Sequence, residues 1–279
     1  MINKILLADS GTGHSEEMLR MLLDIPGLKN ASVSILHVVP AQLNPEDLAT
    51  KMEEGGKLLA EAVQKLHLDP GRVNSILRQG DAKTVVCEVA DELNVDLIIM
   101  GSRGLKRLQS ILANSVSQYV FQLSQRPMLL VKDDIYVKRV NRVMVALDKT
   151  SSSQEAARLA QFLARDVKGG ELIFAHVATT GKAPANAEED PVLAAPLKAA
   201  RQLGINARAI SLTGSRAGQD ICNLAEQNRV DLLVMGSPDR RPTIAKGLPD
   251  LDRLLGGSIS DYVRVYAGCP VLLVRTASA

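Results

Sequence analysis

Two glycines three residues apart, Gly101 and Gly104, follow directly on the apolar run Leu97-Ile98-Ile99-Met100, and a polar stretch then leads to Asn114-Ser115-Val116. An apolar run that breaks at glycine and resumes as a helix start is the layout of an anion site. Glycine lets the backbone turn with positive φ and approach a phosphate, and the first turn of a helix offers unpaired N–H groups and a positive dipole end. Arg103, Lys106 and Arg107 stand in the same loop as cations for phosphate charge. A second apolar run, Ile5-Leu6-Leu7-Ala8, ends at Asp9. That acid has two readings, a holder of phosphate-bound Mg2+ through water or an ordinary strand-end carboxylate. The layout recurs further on, where VDLLVMGSPD precedes, after a longer loop, GGSIS with Gly236, Gly257 and Ser258.

Such residues need strands that end where they stand. Short apolar runs at 4–8, 32–39, 73–78, 96–100 and 128–132 read as strands, and between them lie helical patterns. Ser15 is the expected cap of a first helix reaching residue 25, with Glu16 and Glu17 in its first turn. Asn44 and Pro45 open a second helix to about residue 68, Gly80-Asp81 a third through 94, and a fourth runs over 115–123. Strands alternating with helices predict a parallel sheet covered on both faces. If the first and fourth strands are neighbours, Asp9 and the glycine turn share one crevice beyond their carboxyl ends.

The whole arrangement is written twice. Asp9 to Asp148 and His37 to His176 are each 139 residues apart, Gly101 to Gly236 is 135, and Ser115 to Ser258 is 143. A period this long means tandem duplication of a domain, with units at 1–134 and 139–279. In the second copy strands are expected at 143–147, 172–177, 206–212, 231–235 and 271–275, with Ser152 to Glu155 spaced as a capping box. Residues 179–191, rich in Ala, Pro, Gly and acids, read as a mobile loop ahead of a shortened helix.

Thirty-three Lys and Arg against thirty-one Asp and Glu leave a charge of +2, with no Trp and few aromatics among the basic residues, which argues against nucleic acid as partner. The apolar run before Asp9 is too short for a signal peptide or membrane span, so a soluble, cytoplasmic protein is expected. Cys87, Cys222 and Cys269 lie at no metal-ligand spacing and read as structural. His14 has no acid that can be placed with Ser15, and His37 and His176 sit in apolar strands as packed or backbone-bonded side chains. The loop Ser10 to Ser15 lacks the Asp of an ATP pyrophosphatase loop. No general base emerges, so an enzyme is not expected, and any ATP hydrolysis would be slow and incidental.

The spacing G-x-x-G, nine residues, small residue, Ser resembles the nucleotide motif of the universal stress protein family. ILLAD, ILHVV, QGD, DLIIMGSRG and RPMLLVK are similar to that family in order, as are VMVALD, IFAHV, DLLVMGSP, GGSIS and CPVLLVR. The resemblance implies an α/β fold of two tandem open five-stranded parallel sheets flanked by helices, of the adenine-nucleotide α-hydrolase-like type. It also implies ATP, or AMP or ADP, with Mg2+ as a companion of the phosphates. Carried over residue by residue, Ala8, Asp9 and Val38 would surround adenine and ribose, Met100 the base edge, and Gly101, Arg103, Gly104, Asn114, Ser115 and Val116 the phosphates. Asn114 stands where the family has a third glycine; Asn tolerates left-handed backbone, but its side chain intrudes.

Copy two keeps Asp148, Val177, Gly236, Gly257 and Ser258 but has Pro238 and Asp239 in the turn and eight extra loop residues. A carboxylate there repels a triphosphate unless Arg240, Arg241 or Lys246 compensates. The nucleotide is therefore expected mainly in domain 1 of a stress-responsive regulatory protein, the alternative being an interaction module that needs no ligand. The apolar fifth strands need covering, and the family pairs such edges across a two-fold, which implies an internal pseudo-dimer and a homodimer beyond it. A protein partner is expected without its identity being legible.

Overall fold

Leu97-Ile98-Ile99-Met100 is apolar at every residue because both faces of its strand are covered. Ile99 points into one core and Ile98 into the other, each fully buried. The computed structural model describes residues 2–9, 11, 14–41, 44–102, 116–132, 135–237 and 258–275. The first copy runs β1 (Lys4–Ala8), α1 (His14–Leu23), β2 (Ser32–Val39), α2 (Pro45–Leu66), β3 (Val73–Gln79), α3 (Ala82–Glu92), β4 (Leu97–Ser102), α4 (Val116–Leu123) and β5 (Met128–Lys132). The second runs β6 (Arg142–Ala146), α5 (Ser151–Ala164), β7 (Glu171–Ala178), α6 (Ala194–Gln202), β8 (Ala207–Thr213), α7 (Ala217–Gln227), β9 (Leu232–Gly236), α8 (Ile259–Tyr266) and β10 (Val271–Val274).

Each copy contributes five parallel strands, and the two sets join into one ten-stranded sheet ordered β3-β2-β1-β4-β5-β10-β9-β6-β7-β8. The join is the antiparallel pair β5 and β10, with Leu130 opposite Val271 and Leu129 opposite Leu272. The apolar edge that each fifth strand would expose is thus closed by the other copy. Asp96 ties the start of β1 to β4 by accepting from the backbone N–H groups of Asn3 and Lys4, and Asp231 repeats this with Asn141 and Arg142. β1 and β4 are neighbours, as the shared crevice requires.

The join carries two buried cations at equivalent places. Lys132, at the end of β5, donates to the carbonyls of Val265 at 2.7 Å and Ala267 at 2.6 Å, where α8 ends. Arg275, just after β10, donates to the Phe121 carbonyl in the last turn of α4 and stacks 4.4 Å from the Phe121 ring. Each copy so caps the other's last helix with a positive charge at its negative dipole end.

Several local expectations change. Asn44 and Asp81 cap α2 and α3 as their spacing implies. Ser15, however, lies inside α1 with its side chain fully buried, and α5 is capped by Thr150, which accepts from Ser153 N–H, not by a box at Ser152. Burial of these serines against the sheet decides the outcome, because a buried helix start cannot also present its hydroxyl as the solvent-side cap. The stretch 179–191 is not a bare loop: Asn186 caps a 3-10 turn at Ala187–Glu189, and Asp190 is 1% exposed. Among the described residues no helix is long and apolar enough to cross a membrane. Burial pushes the thiol of Cys222 up to about 11 and that of Cys269 up to about 12, so both are unreactive packing groups.

Candidate functional site

The strand order turns back on itself between β1 and β4 and again between β6 and β9, and a crevice opens beyond the carboxyl ends at each point. Ala8 is in register with Met100, and Ala146 with Met235. In copy one the chain leaves β1 at Asp9, which is 6% exposed. Asp9 Oδ1 accepts from the N–H of Gly11 at 2.9 Å, and its carbonyl lies 3.0 Å from His37 Nδ1. His37 is therefore tied to backbone, as its apolar strand suggests, and it fixes the end of β2 beside Asp9. Val38 follows on β2, Gly101 is partly buried on β4, and Val116 begins α4. Arg103, Gly104, Asn114 and Ser115 lie outside the described residues, as do Lys106 and Arg107.

The sequence reading missed Glu16. Read only as a first-turn acid, it is 4% exposed. Burial, then the nearby Asp9 carboxylate, pushes its carboxyl above the usual range, while Lys65, 3.9 Å away, pulls the other way. Its Oε2 has no hydrogen-bond partner. Asp9 thus has a second buried acid near it, where one was legible.

In copy two the expected ligand residues come together. Asp148, Val177, Gly236 and Ser258 line one cavity of about 230 Å3. Its wall is apolar at Ala146, Ala175, Ala217, Ile221 and Met235, and Ser153 and Ser260 add hydroxyls. Gly257 and the loop with Pro238, Asp239, Arg240, Arg241 and Lys246 lie outside the described residues. Gly236 is required by close approach, since a Cβ there would stand 2.6 Å from Ser152 C and Ser153 N at the head of α5.

One equivalence needs correcting. Pairing sets Ala8 against Leu36 and Met100, and Ala146 against Ala175 and Met235, so the place of Asp9 is taken by Leu147. Asp148 stands one residue further out and is exposed, whereas Leu147 is buried. Asp148 Oδ1 accepts from the N–H and hydroxyl of Thr150, and its own N–H donates to Ser153 Oγ at 2.7 Å. The strand register, which residue spacing alone does not contain, makes this difference.

Ser258 caps α8: its Oγ accepts from Asp261 N–H at 3.1 Å and donates to Asp261 Oδ2 at 2.8 Å. Ser260 lies 3.0 Å from Ser258 Oγ and 3.3 Å from Ser237 Oγ, completing a chain of hydroxyls at the cavity's end.

His176 differs from His37 in its partner. Its Nδ1 bonds Asp190 Oδ2 at 2.8 Å, and Ser211 Oγ donates to the same oxygen. Serine and histidine both address the carboxylate, so this is no nucleophile and base pair; it is a clamp that holds 179–193 across β7 and β8, next to Val177. A cue existed in the sequence, because Asp190-Pro191 ahead of an apolar helix is the same cap and first-turn proline signal as Asn44-Pro45.

Burial raises the Asp190 carboxyl, but hydrogen bonds from His176, Ser211 and the Val192 N–H outweigh it and hold the group below its ordinary value. Stability from Asp190 is then complete above the unfolded carboxylate pKa of about 4 and is lost as pH falls through the lower folded value. Asp190→Asn is expected to cost about 2 kcal/mol at pH 7 in urea unfolding, with the gap to the native protein narrowing below about pH 4. A gap that stays constant with pH would show that the clamp does not depend on the charge.

The family model described as the universal stress protein family matches residues 1–132 and again 139–275. Universal stress protein YxiE of Bacillus subtilis is 30% identical over 148 residues, covering 47% of this chain and all of its own length (100%). Universal stress protein Sll1654 of Synechocystis is 33% identical over 136 residues, covering 47% of this chain and 86% of its own. The crystal structure of a universal stress protein from Archaeoglobus fulgidus matches 98% of this chain and 96% of that one with a TM-score of 0.74. At 23% identity that likeness is one of fold.

Proposed function

Because this chain belongs to the universal stress protein family, carrying its domain twice, we propose that it is a stress-responsive regulatory protein that binds adenine nucleotide, held mainly by domain 1. The observation that carries the reading is the matching reversal of strand order in the two copies. Ala8 and Met100 pair at the carboxyl ends of β1 and β4, and the equivalent Ala146 and Met235 line a cavity together with Asp148, Val177, Gly236 and Ser258. Domain 1 is favoured for the phosphates because its loop sequence carries Arg103, Lys106 and Arg107 with no acid among them, whereas the loop of domain 2 sets Asp239 in the turn ahead of Arg240, Arg241 and Lys246.

Binding needs no catalytic base; a sensor requires only that the ligand prefer one loop state over another. Occupancy of the Gly101 to Val116 segment is what a protein partner would read, and self-association into a dimer belongs to the same proposal. Mg2+ would accompany the phosphates, with Asp9 as the carboxylate that would hold it through water.

The test is to denature the purified protein and quantify released nucleotide by anion exchange with mass identification. About one adenine nucleotide per chain is expected, a single site being filled by a ligand that survives purification. None released, and none bound on adding ATP with Mg2+, would overturn the reading and leave an interaction module that works without ligand. Gly104→Asp separates the two in the cell: a sensor loses ATP and partner response together, and a module keeps its partner.

A further inference from the structure

We propose that the two crevices are coupled: Lys132 and Arg275 carry occupancy of one copy's crevice into the helix that stands at the other's. The inference rests on the nucleotide reading above for its ligand, and adds that the two ends of the chain respond to each other.

Because β5 and β10 run antiparallel, the strands of the two copies point opposite ways, and their crevices open at opposite ends of the ten-stranded sheet. Each crevice is nevertheless bonded to the tail of a helix whose head stands at the other crevice. In copy one, Gly101 and Ser102 pair with Val131 and Lys132, so the strand that enters the glycine turn holds Lys132 by its backbone. The ammonium of Lys132 reaches the carbonyls of Val265 and Ala267, where α8 ends. α8 is eight residues long, about 12 Å, and at its head Ser258, Ile259 and Ser260 line the cavity of copy two.

The return path has the same parts. Val274 pairs with Gly236, and its carbonyl accepts from the Ser237 N–H at 2.8 Å. Arg275 follows, and its guanidinium donates to the Phe121 carbonyl in the last turn of α4 and stacks on the Phe121 ring. α4 begins at Val116, one of the phosphate-side residues of the proposed domain 1 site. At the cavity of copy two, strand and helix meet again, since Ser237 Oγ lies 3.3 Å from Ser260 Oγ. Neither path has slack: Lys132, Val263, Ala267 and Arg275 are all 7% exposed or less. Side chains packed in an interior pass a displacement on instead of absorbing it. Capping a helix needs only a cation nearby, but here both cations come from the strand position beside the glycine of each crevice. A ligand that prefers one position of the glycine turn therefore prefers one position of the other copy's helix, which is what coupling requires.

Full-length protein carrying 13C-methyl methionine and backbone 13C and 15N labels is titrated with ATP and Mg2+. Met100, which pairs with Ala8 at the carboxyl end of β4, is assigned by Met100→Leu and read as the domain 1 signal. The carbonyl signals of Val265 and Ala267 and the amide signals of Ser258 to Asp261 report the two ends of α8. Both sets are expected to move with the Met100 midpoint, to within about twofold, and to stay still in Gly104→Asp, where domain 1 is disabled. In Lys132→Met the Met100 signal should still titrate while α8 no longer follows, and Lys132→Arg should restore the response. Signals of α8 that stay still while Met100 moves overturn the inference, as does an α8 response that persists in Gly104→Asp or in Lys132→Met. If ATP leaves Met100 unmoved, the nucleotide reading itself fails, and the coupling with it. The native chain and Gly104→Asp decide the outcome even if Lys132→Met does not fold.

Discussion

Replacing Lys132 by methionine is expected to lower the stability of the whole chain by about 3 kcal/mol. Lys132 is 4% exposed, and its ammonium donates to two carbonyls at the end of α8, in the other copy. Methionine fills a similar volume but donates nothing, so both carbonyls lose a charge-assisted bond, each worth roughly 1.5–3 kcal/mol, while relief from holding a charge out of water returns part of the loss. Because the bonds cross the join of β5 and β10, the loss should not stay local. Urea unfolding should show a lower midpoint, and amide exchange should rise in Leu129, Leu130, Val271 and Leu272 together. Lys132→Arg should recover most of the loss, since Arg275 serves the same end at the equivalent place. A change below about 1 kcal/mol would mean that the sheet pairing alone holds the copies together.

Gly236→Ala is expected to cost a similar amount, about 3 kcal/mol, through backbone overlap. The added methyl would stand 2.6 Å from Ser152 C and Ser153 N, and neither can rotate away as a side chain could. α5 must shift at its first turn, moving Ser153 and its bond to the Asp148 N–H, which forms one rim of the cavity. A ligand held in that cavity should therefore be lost, while one held in domain 1 is retained. Gly56→Ala in α2 is the control, with nothing within 4 Å of the new methyl. There alanine should be neutral or stabilising by about 0.5–1 kcal/mol, because glycine has the larger entropy to lose in a helix. Equal losses at the two glycines would refute the steric account.

Local signals proved sound wherever one side chain and its nearest neighbours decide the outcome. Asn44-Pro45 begins α2 because the Asn44 amide oxygen is 2.9 Å from the Glu46 N–H and 3.0 Å from that of Asp47, a bond internal to four residues. The strands of both copies were legible for the same reason, since runs such as Met128 to Val131 are apolar on both faces and too short for helices. Signals failed where burial selects between local options. Ser152 and Ser153 look as good as Thr150 for a cap, but they are buried against Gly236 and only Thr150 is free to cap. Asp190 was hidden in a run of Ala, Pro and acids because its partners, His176 and Ser211, come from strands 14 and 21 residues away.

The sequence by itself determined the duplication, the alternation of strand and helix and the ends of most elements, because periodicity and turn chemistry act within a few residues. Only the tertiary structure decided how the copies differ. It moved Asp148 one place beyond the position of Asp9, buried Glu16 beside that acid, turned His176 toward Asp190 instead of backbone, and drew Lys132 and Arg275 across the join. Each of these depends on strand register or on a distant partner, and a one-residue slip in register changes which side chain meets the ligand while leaving the local pattern the same.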